Sequence, residues 1–346
     1  MITRTLRTTD DLIAAGLATE QARATLEQVG ARYAVAITPA MTALIAPGDA
    51  ADPVARQFVP DAAELETSPE ERADPIGDAA RSPLPGVVHR YPDRVLIKLT
   101  HTCPVYCRFC FRREMVGPKG HGAMTPADIA AAVAYVAARP AIREVIVTGG
   151  DPLILSARRL REVTRAFGAV PHVDVLRWHS RVPVVLPAAV TPALVNALKA
   201  GGKAVFVALH ANHAREFTEE ARAALARLAA SGIGLISQSV LLRGVNDTLE
   251  ALEALMRAFL AARVKPYYLH HGDLAPGTGH FRVPLAEGKA LVASLRSRLS
   301  GLGQPAYVID IPGGFGKVPV ERCEETADGW LIHAADGRLH RYPPVS

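Results

Sequence analysis

The sequence predicts an α/β protein built as a parallel β/α barrel, partial or complete, preceded by a helical segment and followed by a short tail. Two features carry this expectation. From Arg94 onward, short apolar runs rich in β-branched residues alternate with longer helical stretches, and parallel strands need crossovers of that kind. With 346 residues, 49% of them hydrophobic, the chain can also bury one large core.

In order along the chain, residues 10–45 read as short helices rich in Ala and Leu. Residues 46–86 carry many Pro, Asp and Glu and read as an extended connector that hugs the surface, against the alternative of a plain disordered linker. Strands are expected at 95–99, 144–148, 173–178, 204–209, 233–241, 264–269 and 306–311. Helices are expected over 126–138, 157–167, 192–200, 219–230, 249–262 and 285–299. About six βα units result, and in such barrels the working residues gather at the C-terminal ends of the strands. The natural divisions are 1–85, 86–312 and 313–346.

Composition narrows the function. No apolar run reaches the roughly 18 residues needed to span a bilayer, and the N-terminus lacks a signal-type apolar region. A cytoplasmic protein without a membrane partner is expected. The net charge of +5 is mild and suits anionic small molecules. Aromatic residues make up only 5%, which is poor for stacking bases. The basic run from Arg90 to Arg113 leaves nucleic-acid binding as a weak rival.

Three of the four cysteines fall in one short motif, Cys103, Cys107 and Cys110, directly after the first barrel strand. Closed zinc sites want four N or S ligands, and Cys323 is far away in sequence. Three thiolates on one loop suit a [4Fe-4S] cluster with one open iron; zinc completed by a histidine is the alternative. Thr148-Gly149-Gly150-Asp151-Pro152 ends the next strand. Glycines let a backbone approach a ligand closely, although a tight turn is the ordinary explanation. Near the C-terminus, IDIPGGFGKVPV fails the phosphate-loop pattern, because Ile311 and Val318 stand where Gly and Ser or Thr belong. Lys317 instead follows a buried strand in a glycine-rich turn, where a desolvated lysine can form a Schiff base.

The cysteine spacing closely resembles that of the radical S-adenosylmethionine superfamily. Over roughly residues 84–320 the chain is similar to the lysine 2,3-aminomutase family. The match rests on PGVVHRYPDRVLIKLTHTCPVYCRFCFRR, GGDPLILS, HSRVPVVLP, SQSVLLRGVND, PYYLHHGDL and DIPGGFGKVPV. The resemblance implies a radical SAM partial (β/α)6 barrel, with Cys103, Cys107 and Cys110 holding the cluster. The open iron would bind S-adenosylmethionine, with Gly149, Gly150 and Asp151 near its methionine amino group. His210 and Gln238 would touch a cofactor, unless His210 is simply a satisfied core histidine. Lys317 would carry pyridoxal 5'-phosphate, and Arg90, Tyr91 and Arg94 its phosphate.

The same resemblance assigns the substrate contacts. Arg112 would clamp the carboxylate of L-lysine, a structural salt bridge being the plainer role. Asp273 and Asp310 would hold its distal ammonium, although a native Lys or Arg could neutralise Asp310 equally well. The implied activity is movement of the α-amino group of L-lysine to the β-carbon. A dedicated (R)-β-lysine branch serving elongation factor P, a relative with another amino acid, and a binding protein that kept the fold are the rivals. An electron donor such as flavodoxin or ferredoxin and a homo-oligomer are further implied, while the role of Cys323 stays open.

Overall fold

The computed structural model describes residues 3–117 and 122–343. The ends of the first and last expected segments, residues 1–2 and 344–346, lie outside it.

Nine strands form one sheet in chain order. Seven of them run parallel: β2 (Arg94–Thr100), β3 (Glu144–Gly149), β4 (Val175–Ser180), β5 (Ala204–His210), β6 (Gly234–Val240), β7 (Lys265–His270) and β8 (Ala306–Ile311). The expected strands agree to within about two residues at most ends, and so do the six crossover helices. Thr125, Ser156, Thr191, Thr218 and Thr248 start five of those helices, each accepting a hydrogen bond from the first turn.

Two flanking strands escape the sequence reading. β1 (Val87–Tyr91) pairs antiparallel with β2, and β9 (Gly316–Pro319) pairs antiparallel with β8. Among the described residues no ladder joins β1 to β9, so the barrel stays open along that seam. The Lys317 backbone N–H crosses it, donating to the Tyr91 hydroxyl at 2.7 Å.

Within the strands, residues alternate between two faces. Ile97, Leu99, Leu176, Trp178, Val207 and Leu209 are buried against the helices. The other face, toward the lumen, carries Lys98, Arg177, His179, His210, Gln238, His270 and Asp310. An apolar outer layer and a polar inner one are thus written at a period of two.

The N-terminal part packs into the main core through Leu12, Ile37, Met41 and Phe58, all fully buried. The acidic connector is ordered, and it does more than hug the surface. Glu64, 0% exposed, accepts from Arg108 Nε at 2.9 Å and Nη2 at 2.6 Å, and from Arg113 Nη2. Both arginines flank the cysteine motif. The expected short tail contains a separate antiparallel sheet, β10 (Cys323–Thr326), β11 (Gly329–His333) and β12 (Leu339–Tyr342). Among the described residues no helix is long and apolar enough to cross a membrane.

Removing one partner from a buried ion pair strands the other charge, at a cost of about 3–5 kcal/mol. Glu64→Ala should therefore lower unfolding stability by about that much in denaturant titration. A loss below about 1 kcal/mol would show that Arg108 and Arg113 find other partners.

Candidate active site

The loop after β2 carries Cys103, Cys107 and Cys110. Burial pushes the Cys110 thiol up to about 11, with Cys107 adding to the rise. Cys103 is raised as well, by burial and then by Asp151, Cys110 and Cys107. The three half-buried cysteines thus act on one another, and thiolates so placed gain from a positive partner. Arg181 is one such partner, its Nη1 donating to Cys107 Sγ at 2.9 Å. Among the described residues no three His, Cys, Asp or Glu side chains could hold a single metal ion. Cys323 stands apart, buried at the start of β10 with Lys289 and Glu321 as its charged neighbours.

Gly149 and Gly150 pack against the start of the cysteine loop. A Cβ on Gly149 would sit 2.3 Å from the Thr100 carbonyl oxygen, and one on Gly150 2.4 Å from that of Thr102. The glycines are thus required by close backbone packing. The Asp151 carboxylate is fully engaged inside the protein. It accepts from Ser180 Oγ and Leu153 N at one oxygen, and from Arg181 N and Val182 N at the other. The carboxylate thus ties the end of β3 to the end of β4.

Lys317 on β9 is the direct cross-strand partner of Asp310 on β8, and its Nζ donates to Asp310 Oδ2. Its Nζ also lies 3.3 Å from His270 Nδ1. Burial alone would raise the Asp310 pKa, but Lys317 and His270 hold it well below the carboxylate range. Asp273 makes no ion pair among the described residues, and Lys317, Arg112 and Arg90 act on it only as the smaller influences. Burial and the charge of Asp310 push it up to about 7. Burial, then Lys317, drives His270 down to about 4, so the ring is neutral near pH 7.

Arg112 is 7% exposed and donates to Asp78 Oδ2, from Nη2 at 3.0 Å and Nε at 3.3 Å. The plainer role of a salt bridge is therefore present, made with the connector. Arg90 donates to Asp78 Oδ1 at 3.1 Å and to the Ile76 carbonyl, and its buried Nε has no partner. Arg94 lies over the Tyr91 ring, 3.8 Å from its centroid, and its charge acts on Tyr268.

His210 and Gln238 are register partners at the ends of β5 and β6, with Tyr268 next in register on β7. His210 stacks on Phe109 of the cysteine motif at 5.7 Å and meets Asn212 Nδ2 at 3.2 Å. Burial holds it neutral. The structure thus brings Lys317, Asp310, Asp273, Arg112, Arg90 and Tyr91 to one end of the barrel, beside the cysteine loop. Asp78, Lys98, Arg177, His179, His270 and Arg181 also belong to this neighbourhood and were not singled out from the sequence. Their period-two polarity inside apolar strands was the available signal for Lys98, Arg177, His179 and His270. The His179 Nε2 is buried without a partner.

The comparisons follow this geometry. The family model described as the Radical SAM superfamily matches residues 97–258, from within β2 to the helix before β7. Together with the parallel barrel and the cysteine loop, it defines a radical SAM protein, a class that implies a [4Fe-4S] cluster and S-adenosylmethionine. An L-lysine 2,3-aminomutase of Clostridium subterminale is 42% identical, covering 83% of this chain and 68% of the relative. That of Bacillus subtilis is 35% identical over 99% of this chain and 73% of its own. A glutamate 2,3-aminomutase of Clostridioides difficile is 34% identical over 87% and 71%. The chain belongs to the lysine 2,3-aminomutase family.

The raised pKa of Asp273 gives a pH test. The folded state holds this proton more tightly than the unfolded chain, whose ordinary value is 3.8. Stability from this group is fully present below about pH 4 and is lost as pH rises through about 7. The loss is at most about 4 kcal/mol. Asp273→Asn should thus match the parent at pH 4 and exceed it in denaturant stability at pH 8. A difference that does not change with pH would refute the assignment.

Proposed function

We propose that this chain moves the α-amino group of L-lysine to the β-carbon. Cys103, Cys107 and Cys110 would hold the cluster, and Lys317 would anchor pyridoxal phosphate. The observation that carries the reading is the meeting of two carboxylates, Asp310 and Asp273, beside Lys317, with Arg112 within electrostatic reach.

The residues suit each group. Three cysteines on one loop fit a cluster with a free iron by their number and chemistry. Lys317 is a part-buried amine at an open seam, and Arg90 and Arg94 supply cations for a phosphate. When bound, the cluster and S-adenosylmethionine supply a hydrogen-abstracting radical, and pyridoxal phosphate supplies the π-system across which nitrogen moves.

The chain itself binds and orients. Arg112 is placed to take the substrate carboxylate as a bidentate pair. A Lys317 tied to a carbonyl carbon would keep at most one N–H for Asp310 in place of three. A substrate ammonium would supply the missing donors, with Asp273 as its second acceptor. A second carboxylate in the same place would instead add to an already repulsive pair, which favours lysine over glutamate. His270, neutral and 3.7 Å from Asp310 Oδ2, can hold that carboxylate's orientation. Electrons must come from outside the chain, as from a flavodoxin or ferredoxin.

The test is an anaerobic assay with S-adenosylmethionine, pyridoxal phosphate, a reductant and either L-lysine or L-glutamate. β-Lysine should form, and turnover of glutamate alone would overturn the substrate. Lys317→Ala should lose the visible absorbance of bound pyridoxal phosphate while keeping that of the cluster. Cys107→Ala should do the reverse. Asp310→Asn should cut kcat/KM for lysine by roughly 100-fold; unchanged kinetics would remove Asp310 from the substrate pocket.

A further inference from the structure

Lys98 has no part in the chemistry above, yet its position is unusual. It lies on β2, five residues before Cys103, and is only 8% exposed. Taking an ammonium out of water costs several kcal/mol unless partners replace the lost hydration. Lys98 has three donors to satisfy. Among the described residues its Nζ makes no hydrogen bond, and its one ion pair is to Asp78 Oδ2 at 4.0 Å.

That same oxygen receives both donors of Arg112, at 3.0 and 3.3 Å. Arg90 takes the other oxygen of Asp78. Lys98 and Arg112 therefore converge on one point, which an oxygen anion of the chain already marks. Three cations lie within 4.0 Å of that one carboxylate. Arg90 also reaches Asp310 at 3.8 Å, but Asp310 is bonded to Lys317. Asp74 acts on Lys98 as well, yet its oxygens accept the backbone N–H groups of Asp78 and Ala79, and among the described residues the one ion pair of Lys98 is the long one to Asp78.

We propose that Lys98 is a second cationic ligand of the substrate's α-carboxylate, acting with Arg112. The proposal rests on the aminomutase reading given above. Asp78 holds the two cations together while no substrate is bound. The cofactor phosphate is a less suitable anion for Lys98. Its expected ligand Arg94 lies against Tyr91, whose hydroxyl accepts from the backbone of Lys317, on the anchor's side of the pocket.

The experiment uses enzyme loaded with cluster, S-adenosylmethionine and pyridoxal phosphate, and follows the visible spectral shift as L-lysine or L-lysinamide binds. The amide keeps the amino groups and lacks the negative charge. Lys98→Met should weaken lysine binding about tenfold or more, the loss of one buried charge-assisted hydrogen bond. Lysinamide binding should change less than about twofold by the same reasoning. Lys98→Arg, which keeps the charge, should retain most of the preference for lysine; if Lys98→Met fails to load its cofactors, this variant decides, and loss of the preference in the loaded Arg variant overturns the proposal.

Equal weakening of both ligands, or of neither, overturns it too. So does a loss confined to pyridoxal phosphate or S-adenosylmethionine affinity. If the parent enzyme shows no shift with any amino acid, the aminomutase reading itself has failed. A shift in the parent that Lys98→Met leaves intact rejects only the role of Lys98.

Discussion

Asp310 and Lys317 face each other across the last hairpin of the sheet, and the site is organised around that pair. β8 belongs to the parallel barrel, and β9 turns back along it through Pro312, Gly313, Gly314 and Phe315. Gly313, Gly314 and Gly316 all adopt positive φ, which side chains rarely tolerate. The hairpin register then leaves no choice: a residue opposite Asp310 must be residue 317. Direct cross-strand neighbours lie about 5 Å apart, so the amine falls onto the carboxylate. Gly316 also leaves room for Tyr91, whose hydroxyl would stand 3.1 Å from a Cβ there. Lys317 is thereby fixed at the seam where the barrel fails to close.

A lumen carrying this much charge must be neutralised from somewhere, since buried charges are tolerated only in pairs. The counter-ions come largely from outside the barrel strands. Glu64 serves Arg108 and Arg113, Asp78 serves Arg90 and Arg112, and Glu216 serves Arg181 at 2.8 Å. Four of these five arginines flank the cysteines in sequence or touch one. The acidic connector therefore supplies two of the three carboxylates that let a basic loop sit in a dry place. Its 3-10 turn near Asp78 also rests on the PGG hairpin, where Arg81 Nε donates to the Gly314 carbonyl at 3.2 Å. One segment thus braces both the cysteine loop and the lysine hairpin.

Much of this was legible in the sequence because it depends on local periodicity. Seven apolar runs became the seven parallel strands, and the stretches between them became the crossover helices. The cysteine spacing and the DIPGGFGK segment pointed to the right end of the barrel. β1 and β9 were missed because each is short and carries residues such as His89, Arg90 and Lys317 that read as loop. The connector's acidic residues look like a solvated stretch in a one-dimensional reading; only the fold brings Glu64 to Arg108, 44 positions away. Asp151 was legible only as part of a glycine motif; the four hydrogen bonds that its carboxylate accepts, from Ser180, Leu153, Arg181 and Val182, depend on the fold.

The pairing of Asp310 with Lys317 carries a consequence for the order of events. A lysine tied to a carbonyl carbon would keep at most one N–H for its partner in place of three. Asp310 and Asp273 would then be two buried carboxylates short of donors, and like charges so placed disfavour ionisation of both. With Lys317 so engaged, this end of the site would be short of donors, while three cations meet the one carboxylate of Asp78. A molecule that brings an ammonium to the first and a carboxylate to the second corrects both at once. A molecule with only one of the two groups would leave the other end of the site uncompensated. Discrimination of this kind is set by the charges left unpaired when the wrong molecule enters.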